Sequence, residues 1–275
     1  MEEKIRLDYV PGCQYKIWQD GGQFCFTTDA VFLGNFPHVV NKAKALELGC
    51  GTGAISMLVE HRGAEHVTAI DCNPAVTSLL RRSVEENNLQ EKFTVVDGDI
   101  CKIKEYVKPE SMDLVVANPP YRNSGNQRQV GTIACHEVTA TLEDFFKAAA
   151  FAVRYRGRFA LVQLPERFAE SMQLAFKYGL QPKKLQWVHS AIDKPAWIFL
   201  MEMVKGGSYG MDVLPPLIMY EKDGSYTKLK TTTAAAYTHT KASKSKKYYY
   251  KVRAYKTVSG EKIYSSFSTV KKAAR

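Results

Sequence analysis

"ELGCGTGA", residues 47–54, sets three glycines at alternate positions directly after the apolar run 44–48. Glycine lacks Cβ, so the main chain turns sharply there and a ligand lies against it without obstruction. The residues after the loop, 53–61, carry helical apolar spacing, and strand, loop and helix together open a βα unit. The same rhythm continues to Met203, with strands expected near 44–48, 66–70, 93–96, 112–117, 158–164, 184–189 and 196–203. Helices fit 53–61, 74–88, 101–107, 142–154 and 165–178, with Gly63, Gly157 and Gly179 as stop signals. The strands are apolar on both faces, which predicts an α/β fold: a mostly parallel seven-stranded sheet with helices on both sides.

At 275 residues and 45% hydrophobic, the chain is long enough for one large core plus an appendage. No stretch of 18 apolar residues occurs and the six cysteines form no CxxC pair, so neither a membrane span nor a zinc site is expected, and a reducing cytoplasm is. The net charge of +10 is local. From Thr231 onward there are eleven Lys/Arg against one acid, Glu261, while residues 1–230 hold 27 basic and 27 acidic side chains. Any attraction for a polyanion therefore belongs to the tail.

Two carboxylates extend the reading of the glycine loop. Asp71 ends the second strand about 20 residues after the loop, where a carboxylate accepts ribose hydroxyls. It equally suits a cap for the helix that begins at Asn73-Pro74. Asp99, before Ile100, follows the third strand and is placed to read an adenine amine. No Lys-Thr or Lys-Ser follows Gly53, so the loop is not a GxxxxGK[ST] phosphate cradle, and a sulfonium nucleoside suits it better than a dinucleotide.

The fourth strand runs into Asn118-Pro119-Pro120-Tyr121. Asn118 offers a side-chain carbonyl and Pro119 a backbone carbonyl, while neither proline has an N–H to compete for the space. An adenine amine is a poor nucleophile because its lone pair is delocalised into the ring. Two acceptors on its two hydrogens draw the nitrogen toward a tetrahedral shape. Tyr121 supplies a flat face for an unstacked base, worth about 1–3 kcal/mol. A tight turn after a strand is the plain alternative, disfavoured by the glycine loop and the two carboxylates upstream.

With these motifs the chain resembles the Rossmann-like, S-adenosylmethionine-dependent amino-methyltransferases of the NPPY group, and among them the bacterial tRNA(Val) adenine N6-methyltransferases. The likeness covers about residues 5–228. It is carried by "FCFTTDAVFLGNF", "LELGCGTGAISM", "AIDCNPAV", "GDI", "VVANPPY", "ACHEVTATLEDFFKAAA", "LPERF", "DKPA" and "VLPPLIMYEKDG". The resemblance implies methyl transfer from S-adenosylmethionine to N6 of an adenine in tRNA. Protein glutamine or DNA adenine are the alternative acceptors, and a non-catalytic RNA-binding protein is the alternative class. It further implies that Glu47, Gly49, Gly51, Gly53, Asp71, Asp99 and Ile100 hold the cofactor. Thr28 and Asp29 would lid its methionine end, or simply cap a helix, and Asn118, Pro119, Pro120 and Tyr121 would present the base.

Family members often carry a basic pair where this chain has Gln163 and Leu164, and Pro-Arg where it has Ser190 and Ala191, so cations facing RNA are fewer here. Arg122, Arg128 and Arg167 are candidate phosphate contacts or solvated charges. His136 and Glu137 either flank the substrate or cap the helix that begins in "TATLEDFF", and "SVEENN", residues 83–88, reads as an exposed helix end.

Residues 231–275 change to period-2 alternation, with Tyr248, Tyr250, Val252 and Ala254 on one face and "VSGEK" as a hairpin turn. The segment resembles the last three strands of a fibronectin type III module, with Tyr248 at the corner position, but lacks the strands of the first half. It reads as a fusion remnant, as a packing surface, or as a cationic grip on tRNA. In the third case, deleting residues 231–275 weakens tRNA binding and flattens the dependence of log K on log salt. Binding titrations over a salt series check this, and an unchanged slope assigns the grip elsewhere.

Overall fold

In the computed structural model, residues 5–21, 25–121 and 140–219 are described in full, together with the backbone at 248–250, 254–258, 261–264 and 271–273. The chain divides into two compact units, Met1–Gly224 and Ser225–Arg275. Arg122, Arg128, His136 and Glu137 lie outside the described residues, as does the side chain of Tyr248.

The elements of the first unit are β1 (Ile5–Tyr9), β2 (Lys16–Asp20), α1 (Thr28–Asn35), β3 (Ala43–Leu48), α2 (Ala54–His61), β4 (Ala64–Asp71), α3 (Pro74–Glu86) and β5 (Phe93–Asp97). They continue with β6 (Met112–Ala117), α4 (Leu142–Ala152), β7 (Val153–Gln163), α5 (Phe168–Lys177), β8 (Leu180–His189) and β9 (Ala196–Lys205). Two-residue strands β10 (Asp212–Val213) and β11 (Leu217–Ile218) add to β8, so the seven expected strands form the body of a nine-stranded sheet. Along the sheet the seven run β5-β4-β3-β6-β7-β9-β8, with β9 antiparallel to both neighbours and β3 to β7 mutually parallel.

Two cores cover the two faces. Ala45, Leu114 and Val116 turn to one side, with Leu33 of α1, Leu58 of α2 and Leu80 of α3. Leu46, Leu48, Val115 and Ala117 turn to the other, with Phe146 of α4 and Leu174 of α5. The alternation within β3 and β6 delivers apolar side chains to both layers, as strands buried on both faces require. The crossovers change face between β3 and β6, which makes the space beyond their carboxyl ends the switch point of the sheet, where open α/β folds bind ligands.

The structure departs from the sequence reading in five places. The hairpin of β1 and β2 was not expected; it pairs over Ile5–Asp20 and rests on α3. There the Trp18 N–H donates to Ser83 Oγ (2.8 Å), and Asn87 accepts from the Lys16 N–H (2.9 Å) and donates to the Lys16 carbonyl (2.7 Å). "SVEENN" is an exposed helix end only in part: Glu85, Glu86 and Asn88 are exposed, whereas Ser83 and Val84 are buried beneath this hairpin. Residues 101–107 form no α-helix but a 3₁₀ segment, Ile100–Glu105, kinked at Lys102. The stretch 165–178 splits into a 3₁₀ turn, Pro165–Arg167, and α5. Gly157 does not end a helix. α4 stops at Ala152 and passes straight into β7, where a Cβ on Gly157 would stand 2.9 Å from the Arg154 carbonyl oxygen.

In the second unit β12 (Tyr248–Tyr250) pairs antiparallel with β15 (Lys271–Ala273). β13 (Tyr255–Val258) pairs with β14 (Glu261–Tyr264) across the two residues 259–260.

α1 crosses α2 closely at Gly34, where an added Cβ would stand 2.6 Å from Leu58 Cδ1 and 2.7 Å from Leu58 Cβ. Replacing Gly34 by Ala gains roughly 0.5–1 kcal/mol of helix propensity. Overpacking costs about 1–3 kcal/mol, and a neighbouring Cβ has little room to retreat. Gly34→Ala is therefore expected to lower the denaturant midpoint, as equilibrium unfolding in urea will read.

Candidate active site

The switch point holds a cavity of about 160 Å³, lined by Glu47, Gly49, Cys50, Gly51, Thr52, Ala54 and Ile55 from β3, the glycine loop and α2. Asn118 joins them from the end of β6, and Cys25, Phe26, Thr27 and Ala30 close the wall from the segment that enters α1. Four of the expected residues, Glu47, Gly49, Gly51 and Asn118, thus meet in one place. The lid expected at Thr28 and Asp29 falls within this wall segment, while Cys25, Phe26, Thr27 and Ala30, which line the cavity, were not singled out in the sequence.

Gly49, Gly51 and Gly53 have φ of +69°, +51° and +89°, a region that L side chains rarely adopt. Gly53 is the N-cap of α2, and a Cβ there would stand 2.2 Å from Leu80 Cδ1. Four of the loop's N–H groups are already committed. Gly49 and Cys50 donate to the Ile70 carbonyl (2.8 and 2.9 Å), Gly53 to the Cys50 carbonyl (2.8 Å), and Gly51 to Asp71 Oδ2 (2.9 Å). A phosphate cradle works by pointing such groups at the anion. Here those four face the protein; of the carboxylates around the loop, Glu47 lines the cavity and Asp71 does not.

Glu47 is the innermost of these, 1% exposed. Its Oε2 accepts from the Ser56 N–H (2.8 Å) and from the Ser56 hydroxyl. Burial pushes its pKa up to about 8, against the lowering effect of the two Ser56 bonds, and the charge of Asp71 adds to the rise. Asp71 divides its oxygens between the Gly51 N–H and the Asn73 N–H, both at 2.9 Å. Asp71 therefore braces the glycine loop, while the cap of α3 is Asn73, which accepts from the Ala75 N–H (3.0 Å). Burial raises the Asp71 pKa too.

Asp99 accepts from the Cys101 N–H (2.9 Å) and starts the 3₁₀ segment, with Ile100 buried in the second core; neither lines the cavity. Pro119 is buried, Pro120 exposed and Tyr121 half-buried. The Tyr121 hydroxyl donates to Asp29 Oδ2, which ties the end of the NPPY turn to the first turn of α1. Burial, then this bond and the Asp29 charge, push the Tyr121 pKa up. Asp29 is 3% exposed, and its Oδ1 is buried without a partner. Such an acceptor costs roughly 1–3 kcal/mol until a donor reaches it.

Arg167 is not a surface charge but nine-tenths buried, its guanidinium paired with Glu170 at 2.8 Å.

A carboxyl that is harder to ionise in the folded than in the unfolded chain binds more protons when folded at pH between the two pKa values. For Glu47 that window runs from the ordinary 4.5 to about 8, and stability is lost as pH rises through it. Glu47→Gln keeps an oxygen for Ser56 and removes the titration. Its melting temperature relative to wild type is expected to climb between pH 5 and pH 8, read by thermal scans in matched buffers; a constant difference would place the titration elsewhere.

The chain matches the methyltransferase small domain family over residues 15–178, more than half its length. It is 24% identical over 207 residues to the tRNA1(Val) (adenine(37)-N6)-methyltransferase of Aliivibrio salmonicida, covering 72% of this chain and 84% of the relative. It is 26% identical over 218 residues to the protein of the same name in Dyadobacter fermentans, covering 77% and 88%. Among solved structures, a 16S rRNA N2 G1207 methyltransferase of T. thermophilus, in complex with AdoMet and guanosine, superposes with a TM-score of 0.54 at 19% identity over 73% of this chain and 50% of that one. Its fold is the one described above. With a family match spanning the cavity, the glycine loop and the NPPY turn, the chain belongs to the methyltransferase small domain family.

Proposed function

We propose that this methyltransferase transfers a methyl group from S-adenosylmethionine to the exocyclic N6 of an adenine in tRNA. The observation that carries the reading is the placement of Asn118 in the wall of the cavity that Glu47 and the glycine loop enclose. Asn118 makes no hydrogen bond to another described residue, so its side-chain carbonyl is open to a donor. The tRNA acceptor is supported by the names of the two relatives, both matched over most of their length. A tRNA substrate also implies a cytoplasmic enzyme. Among the described residues no helix is long and apolar enough to cross a membrane.

The donor set fits a cationic nucleoside. Asp29 Oδ1, without a partner among the described residues, suits an ammonium group, Glu47 suits ribose hydroxyls, and four N–H groups around the glycine loop are already bonded within the protein. When bound, S-adenosylmethionine supplies a methyl carbon activated by its sulfonium. Asn118 Oδ1 and the Pro119 carbonyl accept the two amine hydrogens and localise the nitrogen lone pair, which forms the new N–C bond as the C–S bond breaks. The leaving thioether is neutral, so no side chain has to protonate it, and the extra proton on nitrogen departs to water. Catalysis here is chiefly alignment. Tyr121 is half-buried beside this turn and gives the base a face to stack on.

Nucleoside mass spectrometry of tRNA incubated with labelled cofactor tests the reading: labelled N6-methyladenosine is expected. Label only in protein or DNA would redirect it to those acceptors, and no label in any of them would reject catalysis. Asn118→Ala is expected to leave cofactor affinity within about twofold and to lower kcat by at least roughly 10²-fold, the pattern of an interaction made at the reacting amine.

A further inference from the structure

The NPPY turn is short of backbone anchors. Neither proline has an N–H. The strand pairings of β6 end at Ala117, and no backbone–backbone hydrogen bond among the described residues involves 118–121. Side chains hold it instead. At its far end Tyr121 is tied to Asp29. At its middle two side chains converge on one atom, the Pro120 carbonyl oxygen, with Arg167 Nη1 at 3.3 Å and Gln163 Nε2 at 3.5 Å.

Both donors are themselves fixed. Gln163 ends β7 with no exposure, and its Oε1 accepts the Leu164 N–H at 2.8 Å, which turns the NH2 end of the amide toward Pro120. Arg167 Nε and Nη2 form a fork on the Glu170 carboxylate, both at 2.8 Å, and its own carbonyl accepts from the Ser171 hydroxyl at 2.8 Å. A planar guanidinium engaged on two sides is a rigid part, and lysine would not reproduce it. The buried fork also explains why Arg167 is not available to an RNA phosphate.

The consequence lies in the torsions. The rings fix φ at Pro119 and Pro120, so the direction of the Pro119 carbonyl depends on the few ψ angles left between Asn118 and Tyr121. A donor on the Pro120 carbonyl removes most of that remaining freedom. We propose that Arg167, assisted by Gln163, is a positioning residue that clamps the Pro120 carbonyl and thereby aims the Pro119 carbonyl and the Asn118 amide at the target amine. The proposal rests on the functional reading above, and it accounts for the "PER" turn as part of the active-site scaffold.

The test compares wild type, Arg167→Met and Arg167→Lys in the full chain. Methionine keeps an apolar stem and removes every donor, while Glu170, 45% exposed, is left to water. Lysine returns one cationic donor without the fork. Melting temperature, cofactor affinity, kcat and KM for tRNA, and hydrogen–deuterium exchange of the peptide spanning 112–121 are measured for each. With melting temperature and cofactor affinity unchanged, Arg167→Met is expected to lower kcat on the order of 10²-fold, the scale of a 1 Å misplacement, and to speed exchange in the 112–121 peptide at the ladder amides that adjoin the turn. KM is expected to stay within about threefold, and Arg167→Lys to fall between the other two.

Unchanged kcat and exchange in Arg167→Met, or a loss confined to KM, overturns the clamp. If Arg167→Met does not fold, Arg167→Lys at unchanged melting temperature decides: slower turnover supports the clamp and full turnover overturns it. The exchange measurement needs no substrate. A wild-type enzyme that leaves tRNA unmethylated would therefore overturn the functional reading, while the exchange at 112–121 still decides the clamp.

Discussion

Leu48 and Ala117 stand opposite each other at the ends of neighbouring parallel strands. That one register places the glycine loop and Asn118 side by side, because each begins one residue beyond its strand. A slip of one position would turn Leu46, Leu48, Val115 and Ala117 from the second core toward the first and would move Asn118 out of line with the loop. Both faces of the sheet are filled, so the hydrophobic layers on each side enforce the alignment. The chemistry of the site thus depends on side chains that never touch a ligand.

Given that alignment, the site's selectivity follows from where its polar hydrogens go. Four N–H groups around the glycine loop are satisfied by the Ile70 and Cys50 carbonyls and by Asp71. The Ser56 N–H, in the first turn of α2, goes to Glu47. Of the two carboxylates beside the loop, Glu47 lines the cavity, where burial makes its carboxyl harder to ionise. The loop N–H groups that in other sheets serve a pyrophosphate are here partly taken up by protein acceptors, Asp71 among them.

Much of this was legible in the sequence, for reasons that can be traced to particular residues. β3 to β9 announce themselves because strands covered on both faces must be apolar throughout, and Gly49, Gly51 and Gly53 because only glycine takes their φ values without strain. The cap of α4 is Thr141, which forms a capping box with Asp144 within "TATLED"; the sequence reading offers a capping role to His136 and Glu137 instead. The hairpin of β1 and β2 was not, since two five-residue strands bearing Arg6, Asp8, Lys16 and Asp20 show little apolar signal, and what fixes them is the distant Ser83 and Asn87. Asp71 gained a partner within the chain, and Arg167 proved to be buried and not a solvated charge. Spacing indicates where a charged side chain stands; its partner is chosen by packing, and Gly51 and Pro120 come near them only in the folded chain.

The hairpin bears on how a ligand enters and leaves. Phe26, in the cavity wall, hangs by its N–H from Gln19 Oε1 (2.8 Å), and the Gln19 amide is itself tied to Asp8 (2.6 Å). That wall is therefore held from β2 at Phe26 as well as from the NPPY turn through Asp29. Peeling β1 and β2 off α3 breaks the bonds at Ser83 and Asn87 and exposes Val10 and Ile17, yet leaves every pairing of the parallel strands intact. Such sub-global openings cost less than unfolding the whole domain. The strength of that attachment is set at the back of α3, where Lys16 pairs with Glu86 at 2.8 Å and Arg82 lies over the Trp18 ring, far from the reacting atoms.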